Sequence, residues 1–172
     1  MNTAQRIKAS LLKENLCIEL QDNTEVSGVV LACFEDYFVI SVTVDFHFDG
    51  LAFIEYKVVE SIVESNSNSF YSKLFFARNK KTPQLNETYS STFNSLLKSF
   101  KSDKIISLEF HNELLMGYIK SVSGREIVIE PISSTGELLE SYACSRDELL
   151  YVKTDSEYLS VYEEYISGGF GF

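Results

Sequence analysis

The side chains that could do acid–base, nucleophilic or metal chemistry are few in this 172-residue chain, and their spacing does not bring them together. There are two histidines, His47 in "DFHFDG" and His111 in "FHNE". His47 stands between two phenylalanines on an alternating run and reads as a surface or barrel-mouth side chain. His111 falls at a hairpin turn and reads as solvated. No Cys or His pair has metal-ligand spacing, so neither metal nor cofactor is expected. No serine lies in a nucleophile elbow, and no glycine-rich loop leads into a helix with a lysine, as a phosphate cradle would. Adjacent carboxylates occur at Glu35-Asp36, Asp147-Glu148 and Glu163-Glu164. Acid–base work needs one of two carboxyls raised by burial, whereas neighbours on a strand point to opposite faces. These pairs read as solvated charge, the last as the polar face of a helix. Tyr142, Tyr151, Tyr158, Tyr162 and Tyr165 cluster late in the chain. Tyrosines can stack bases, but at helical spacing these read as sealing a small core. The expectation is a protein that is not an enzyme.

Charge is distributed in blocks. The net charge is −10, yet residues 73–104 carry seven basic and two acidic side chains, with strongly acidic blocks on either side. This basic waist holds Lys73, Arg78, Lys80, Lys81, Lys98, Lys101 and Lys104. Lys98, Lys101 and Lys104 are spaced three apart, as residues sharing a helix face are. Such a set can contact phosphates, or it can lie between the acidic blocks within the chain. The composition is that of a folded, soluble protein, with 45% hydrophobic and 23% charged residues. No membrane span or secretory leader is read. Cys17, Cys33 and Cys144 read as reduced core thiols, which places the protein in the cytoplasm.

The elements needed to position these residues show an internal echo. "SGVVLACFEDYFVISV" and "MGYIKSVSGREIVIEP" align when Gly28 is set on Gly117, an offset of 89. Upstream, Leu16, Ile18 and Leu20 match Ile106, Leu108 and Phe110 at an offset of 90, so the first hairpin loop is one residue longer in the first copy. Downstream, Asp49-Gly50 is set against Thr135-Gly136. Each copy opens with a helix. In the first, Ile7, Leu11 and Leu12 fall near helical spacing and Thr3 is a candidate cap; in the second, Phe93, Leu96, Leu97 and Phe100 make one stripe. Four or five strands follow, with turn chemistry at Asp22-Asn23 and His111-Asn112. The two glycines fall inside the second strand and mark structural bends there. A closing helix follows in each copy, with apolar faces at Phe70, Leu74 and Phe75, and at Tyr158, Leu159, Tyr162 and Ile166. Asp155 or Ser156 caps the second.

A helix followed by five short strands with a glycine-bent second strand resembles the Sm-like small barrel. "LCIELQDNTEVSGVVLACFEDYFVISV" places Leu20, Asp22, Val26, Gly28 and Phe34 in the order of the first Sm motif, with Glu35 where the motif has Asp. The resemblance covers about residues 5–65, and residues 95–153 more loosely. It extends to bacterial Sm-like proteins ending in an acidic "D-S-x-Y-L" helix, like Asp155 to Leu159 here. It implies rings built by edge-strand pairing, and RNA read by an Asn and an Arg-Gly pair. In this chain the Asn position falls near Val39. "FIEYKVVESI" has no Arg-Gly, and Arg146 is followed by Asp147. The Tyr-Lys-His type segment of the bacterial RNA chaperones is also missing.

The fold expected is therefore mainly β with flanking α-helices, as two tandem Sm-like or SH3-like five-stranded barrels packed on each other. Residues 1–76 form the first, 77–90 a basic connector, and 91–172 the second with a flexible Gly/Phe tail. That tail could present Phe170 or Phe172 for docking. The function expected is a non-enzymatic binding or assembly module for a protein partner. The alternatives are an RNA-binding Sm relative using the basic waist, and an acidic inhibitor of a basic toxin or nuclease. A monomer or dimer is expected rather than a ring, because the closing helices would cover the sheet edges.

Overall fold

The computed structural model describes residues 2–63, 66–78, 85, 88–100 and 103–169. It is mainly β, with a single ten-stranded antiparallel sheet and four flanking helices among these residues. The elements run α1 (Thr3–Ala9), β1 (Asn15–Leu20), β2 (Glu25–Cys33), β3 (Tyr37–Val44), β4 (His47–Glu55), β5 (Val59–Ile62) and α2 (Asn66–Arg78). Then come α3 (Phe93–Ser99), β6 (Ile106–Phe110), β7 (Leu114–Val122), β8 (Glu126–Pro131), β9 (Tyr142–Ser145), β10 (Leu149–Thr154) and α4 (Glu157–Ile166). Among the described residues no helix is long and apolar enough to cross a membrane.

The sheet order is β5-β1-β2-β3-β4-β10-β6-β7-β8-β9. The expectation of two tandem five-stranded barrels packed on each other gives way here to one continuous sheet. It is joined where β4 pairs with β10, and its hydrogen-bonded ladder is open at β5 and β9. The join pairs Leu51 with Thr154, Ala52 with Lys153, Phe53 with Val152 and Ile54 with Tyr151.

Gly28 and Gly117 occupy equivalent places. Gly28 sits between Leu16 and Val42, and Gly117 between Ile106 and Pro131. Three residues on, each strand has a register shift, between Val30 and Ala32 in β2 and between Ile119 and Ser121 in β7. A bulge bends and twists a strand, so both strands turn at the same point. Neither glycine has room for a side chain. A Cβ on Gly28 would lie 2.5 Å from the Ser41 carbonyl oxygen, and one on Gly117 would meet the equivalent carbonyl of Glu130. The first hairpin connection is one residue longer in the first half, as expected: 21–24 against 111–113. Gly50 and Gly136 share a left-handed φ of +79° and +81°, but Gly50 lies within β4 and Gly136 in the loop before β9.

Alternation explains where the cores form. In β1, Leu16, Ile18 and Leu20 face a core that also receives Ile7 of α1, Val30 and Leu150. The β3 run "YFVISVTV" does not alternate, because the strand is covered on both faces. Phe38, Ile40 and Val42 face that first core. Tyr37 and Val39 join Phe53, the α3 stripe Phe93, Leu96 and Leu97, and the β6–β8 side chains in a second core. The second core thus contains residues from both halves.

Several local expectations are corrected. Asn2, not Thr3, caps α1, through a reciprocal bond with Gln5. The helix ends at Ala9, so Leu11 and Leu12 lie beyond it and are exposed. Ser156 caps α4. Leu159 is that helix's buried side chain, while Tyr158 and Ile166 are exposed. Phe70 and Leu74 of α2 are exposed as well, and the Phe75 side chain lies outside the described residues. The helices expected to cover the edges pack elsewhere: α2 against β1, with Ser72 Oγ donating to the Asn15 carbonyl at 3.1 Å, and α4 against Ile105, Met116 and Ile132. The three cysteines are free and half-buried. Burial raises all three thiols, that of Cys144 to about 11.

Candidate interaction surfaces

The side chains considered for catalysis are dispersed. His47 is exposed at the start of β4. His111 Nδ1 lies 3.0 Å from Asp22 Oδ2, so the turns expected at 22–23 and 111–112 face each other across the two halves. The Asp22 side chain is only 6% exposed, and its Oδ1 accepts from Thr24 N–H at 3.1 Å. Asp36 is not solvated charge: its Oδ1 accepts from Phe93 N–H at 2.8 Å, tying the β2–β3 turn to the first residue of α3. Asp147 and Glu148 are exposed on the turn before β10, and Glu163 and Glu164 on α4. Among the described residues no group of three or more His, Cys, Asp or Glu is placed to hold a metal.

The described members of the basic waist are spread over several elements. Lys73 and Arg78 are exposed on α2, which lies on the first half, and Lys98 is exposed on α3, which lies against the second core. Lys104 lies beyond α3, which ends at Ser99, and pairs with Asp155 at 3.1 Å. Lys80, Lys81 and Lys101 lie outside the described residues, as do Phe170 and Phe172. Lys98 and Lys104 therefore do not share a helix.

The structured polar site is the seam where β4 meets β10. Arg146, on the turn before β10, donates from Nη2 to Glu55 Oε1 at 3.0 Å and from Nη1 to Asn94 Oδ1 at 3.4 Å. Its guanidinium stands over the Phe93 ring, 5.7 Å from the centroid. The side chains of Arg146 and Glu55 are 15% and 7% exposed. Lys57 Nζ approaches the second Glu55 oxygen at 2.9 Å from the half-exposed side. Beside this pair, Tyr37 Oη donates to the Ser90 carbonyl at 2.6 Å. At the other end of the seam Lys153 Nζ donates to Asp49 Oδ2 at 2.6 Å, while Asp49 Oδ1 accepts from Glu157 N–H at 3.0 Å. Burial opposes ionisation of Asp49. The two hydrogen bonds and the Lys153 charge outweigh it and hold the carboxyl below the ordinary aspartate value. In the sequence Arg146 stands out only because Asp147, and not a glycine, is its neighbour. Its partner lies 91 residues away, with no local pattern to announce it.

The second feature is the outward side of α4. Tyr158, Val161 and Tyr165 are 58%, 49% and 48% exposed, so of the late tyrosines Tyr151 and Tyr162 pack against core clusters while Tyr142, Tyr158 and Tyr165 do not. A groove of about 510 Å³ runs between Val44, Phe48, Tyr158 and Val161, and a smaller one between Gly136, Val161, Tyr162 and Tyr165. Comparison with family models, with curated proteins and with solved structures finds no match to this chain.

Proposed function

We propose that the chain is a pair of fused Sm-like units that acts as a non-enzymatic protein-binding module in the cytoplasm. Four features support the Sm-like reading. The half-orders β5-β1-β2-β3-β4 and β10-β6-β7-β8-β9 are the same, and the register shifts in β2 and β7 coincide. The two glycines meet equivalent carbonyls. A short turn of helix precedes the last strand of each half, at Tyr56–Val58 and Arg146–Glu148.

The observation that carries the functional reading is the seam. Sm relatives join neighbours by pairing edge strands, and here one such pairing lies within the chain. Arg146, near where relatives read RNA with an Arg-Gly pair, is committed to Glu55, Asn94 and Phe93. A cation already neutralised and largely covered has little left to offer a phosphate. RNA binding, which would have to rely on the waist without this cation, ranks second, and neutralisation of a basic toxin or nuclease by the acidic surface third.

The open edges favour a small particle. Strand pairing makes Ala143 the counterpart of Phe53 and Ser145 that of Glu55. A second seam between chains would lack both the buried phenyl ring and the ion pair. The experiment is capture of partners from a native extract, with and without nuclease. Protein partners that survive nuclease support this reading; partners lost with nuclease favour the RNA alternative.

A further inference from the structure

We propose that the outward face of α4 is a docking surface for a basic, amphipathic segment of a partner protein. This rests on the protein-binding reading and gives it a site and a partner class. Tyr158, Val161 and Tyr165 stand at i, i+3 and i+7 and so form one stripe along the helix. Large exposed apolar patches on a folded surface mark interaction sites. Here the floor is continuous, because Val161 borders both grooves, from Val44 at the β3–β4 hairpin to Tyr165 at the helix end.

The rings are held in place before any partner arrives. The Tyr158 and Tyr162 hydroxyls share a hydrogen bond of 3.2 Å, and Tyr162 Oη also lies 3.2 Å from the Ser134 carbonyl it donates to. The Tyr165 ring lies over Gly136, where a Cβ would stand 2.5 Å from it. Pre-ordered aromatic side chains lower the entropic cost of binding.

The rim selects the charge. The helix carries Glu157, Glu163 and Glu164 and no basic residue. Asp45 stands on the hairpin wall of the larger groove, with His47 beside it. Asp49 is already committed to Lys153 and to the Glu157 N–H. Lys104, on the far side of α4, is held by Asp155. Glu163 and Glu164 stand on that far side as well, so the uncommitted carboxylates lining the larger groove are Glu157 and Asp45. Lysines or arginines flanking the apolar anchors of a partner would pair with Glu157 and Asp45 while the anchors fill the grooves.

The test uses the full chain and three labelled synthetic peptides of about 16 residues, long enough for four helical turns. The first has leucines on one face and lysines elsewhere. The second keeps the leucines but carries glutamates, and the third has the composition of the first with the leucines scattered. Fluorescence anisotropy is expected to show saturable binding of the first, at least about tenfold tighter than either control. Y158S combined with V161S is expected to weaken it by about tenfold or more while the melting temperature stays unchanged, since both side chains are exposed. Equal binding of the scattered peptide, or no loss in the double variant, overturns the proposal. In cells, a photo-crosslinking residue at position 161 is compared with one at position 62 on the open edge of β5. Adducts to a basic protein at 161 support the proposal. Adducts only at 62 overturn it but leave the protein-binding reading intact, and none at either position counts against both. Adducts to a second copy, or tighter peptide binding after removal of residues 170–172, give the face another occupant and also overturn it.

Discussion

Replacing Arg146 by Met removes the charge at the seam but keeps most of the side-chain length. Glu55 would then be left 7% exposed, with only the half-exposed Lys57 at 2.9 Å. Breaking a buried pair by removing one partner typically costs about 3–5 kcal/mol. The remaining Lys57 contact, and the residual exposure of Arg146 itself, lower the expectation to about 2 kcal/mol, of which the stacking over Phe93 supplies about 0.5 kcal/mol. Glu55→Gln should cost less, because the amide can still accept from the guanidinium. The two together should cost less than the sum of the singles, by about 1–2 kcal/mol. Lys57→Met, at the equivalent turn of the first half, removes a half-exposed cation and leaves Glu55 paired with Arg146, so it should cost under about 1 kcal/mol. Urea unfolding followed by far-ultraviolet circular dichroism measures all four, with an unchanged m-value as the check on two-state behaviour. A loss below about 0.5 kcal/mol for Arg146→Met, in the range of ordinary surface changes, would refute the seam as a structural joint. So would strict additivity with Glu55→Gln.

Gly28→Val and Gly117→Val should each destabilise by about 1–3 kcal/mol, since the new Cβ runs into a backbone carbonyl that can move only with its strand; normal melting of either variant would show that the bend is not tight. Asp49 titrates below its ordinary value, so its contribution is present above about pH 4 and is lost as pH falls through the lowered folded-state value. Asp49→Asn should therefore flatten the acid limb of the stability–pH curve and cost about 1 kcal/mol at neutral pH, with stability measured at a series of pH values. Light scattering at moderate salt should return the mass of one or two chains; a hexamer or larger would mean that β5 and β9 pair between chains despite lacking the seam's anchors.

The parts of the fold legible in the sequence are those written in short-range pattern. The glycines in β2 and β7 could be aligned because a mid-strand glycine is uncommon and has a physical cause. The Phe93, Leu96 and Leu97 stripe was legible because one helix turn repeats every three to four residues. The single sheet was not legible, because edge strands carry no sequence mark of the edge they will meet. Nor was the shared second core, although the unbroken run Tyr37 to Val42 is what a strand covered on both faces requires. Asp36 reads as solvated charge when only its neighbour Glu35 is considered; its role depends on Phe93, 57 residues away. The stripe of α4 was legible as a periodicity, but its direction was not, since Leu159 and Tyr162 seat the helix while Tyr158 and Tyr165 of the same periodicity face outward.

The most direct measurement is the affinity of the full chain for a uridine-rich RNA oligomer at physiological salt, by fluorescence anisotropy, alongside the Glu55→Gln variant. With Arg146 neutralised at the seam and an acidic surface around it, the expected result is no saturable binding below about 100 μM, as weak as non-specific electrostatic contact. The weak signal should disappear as salt is raised and should be indifferent to base identity. Sub-micromolar, uridine-selective binding by the unmodified chain would contradict the assignment of Arg146 to the seam and of this protein to protein partners.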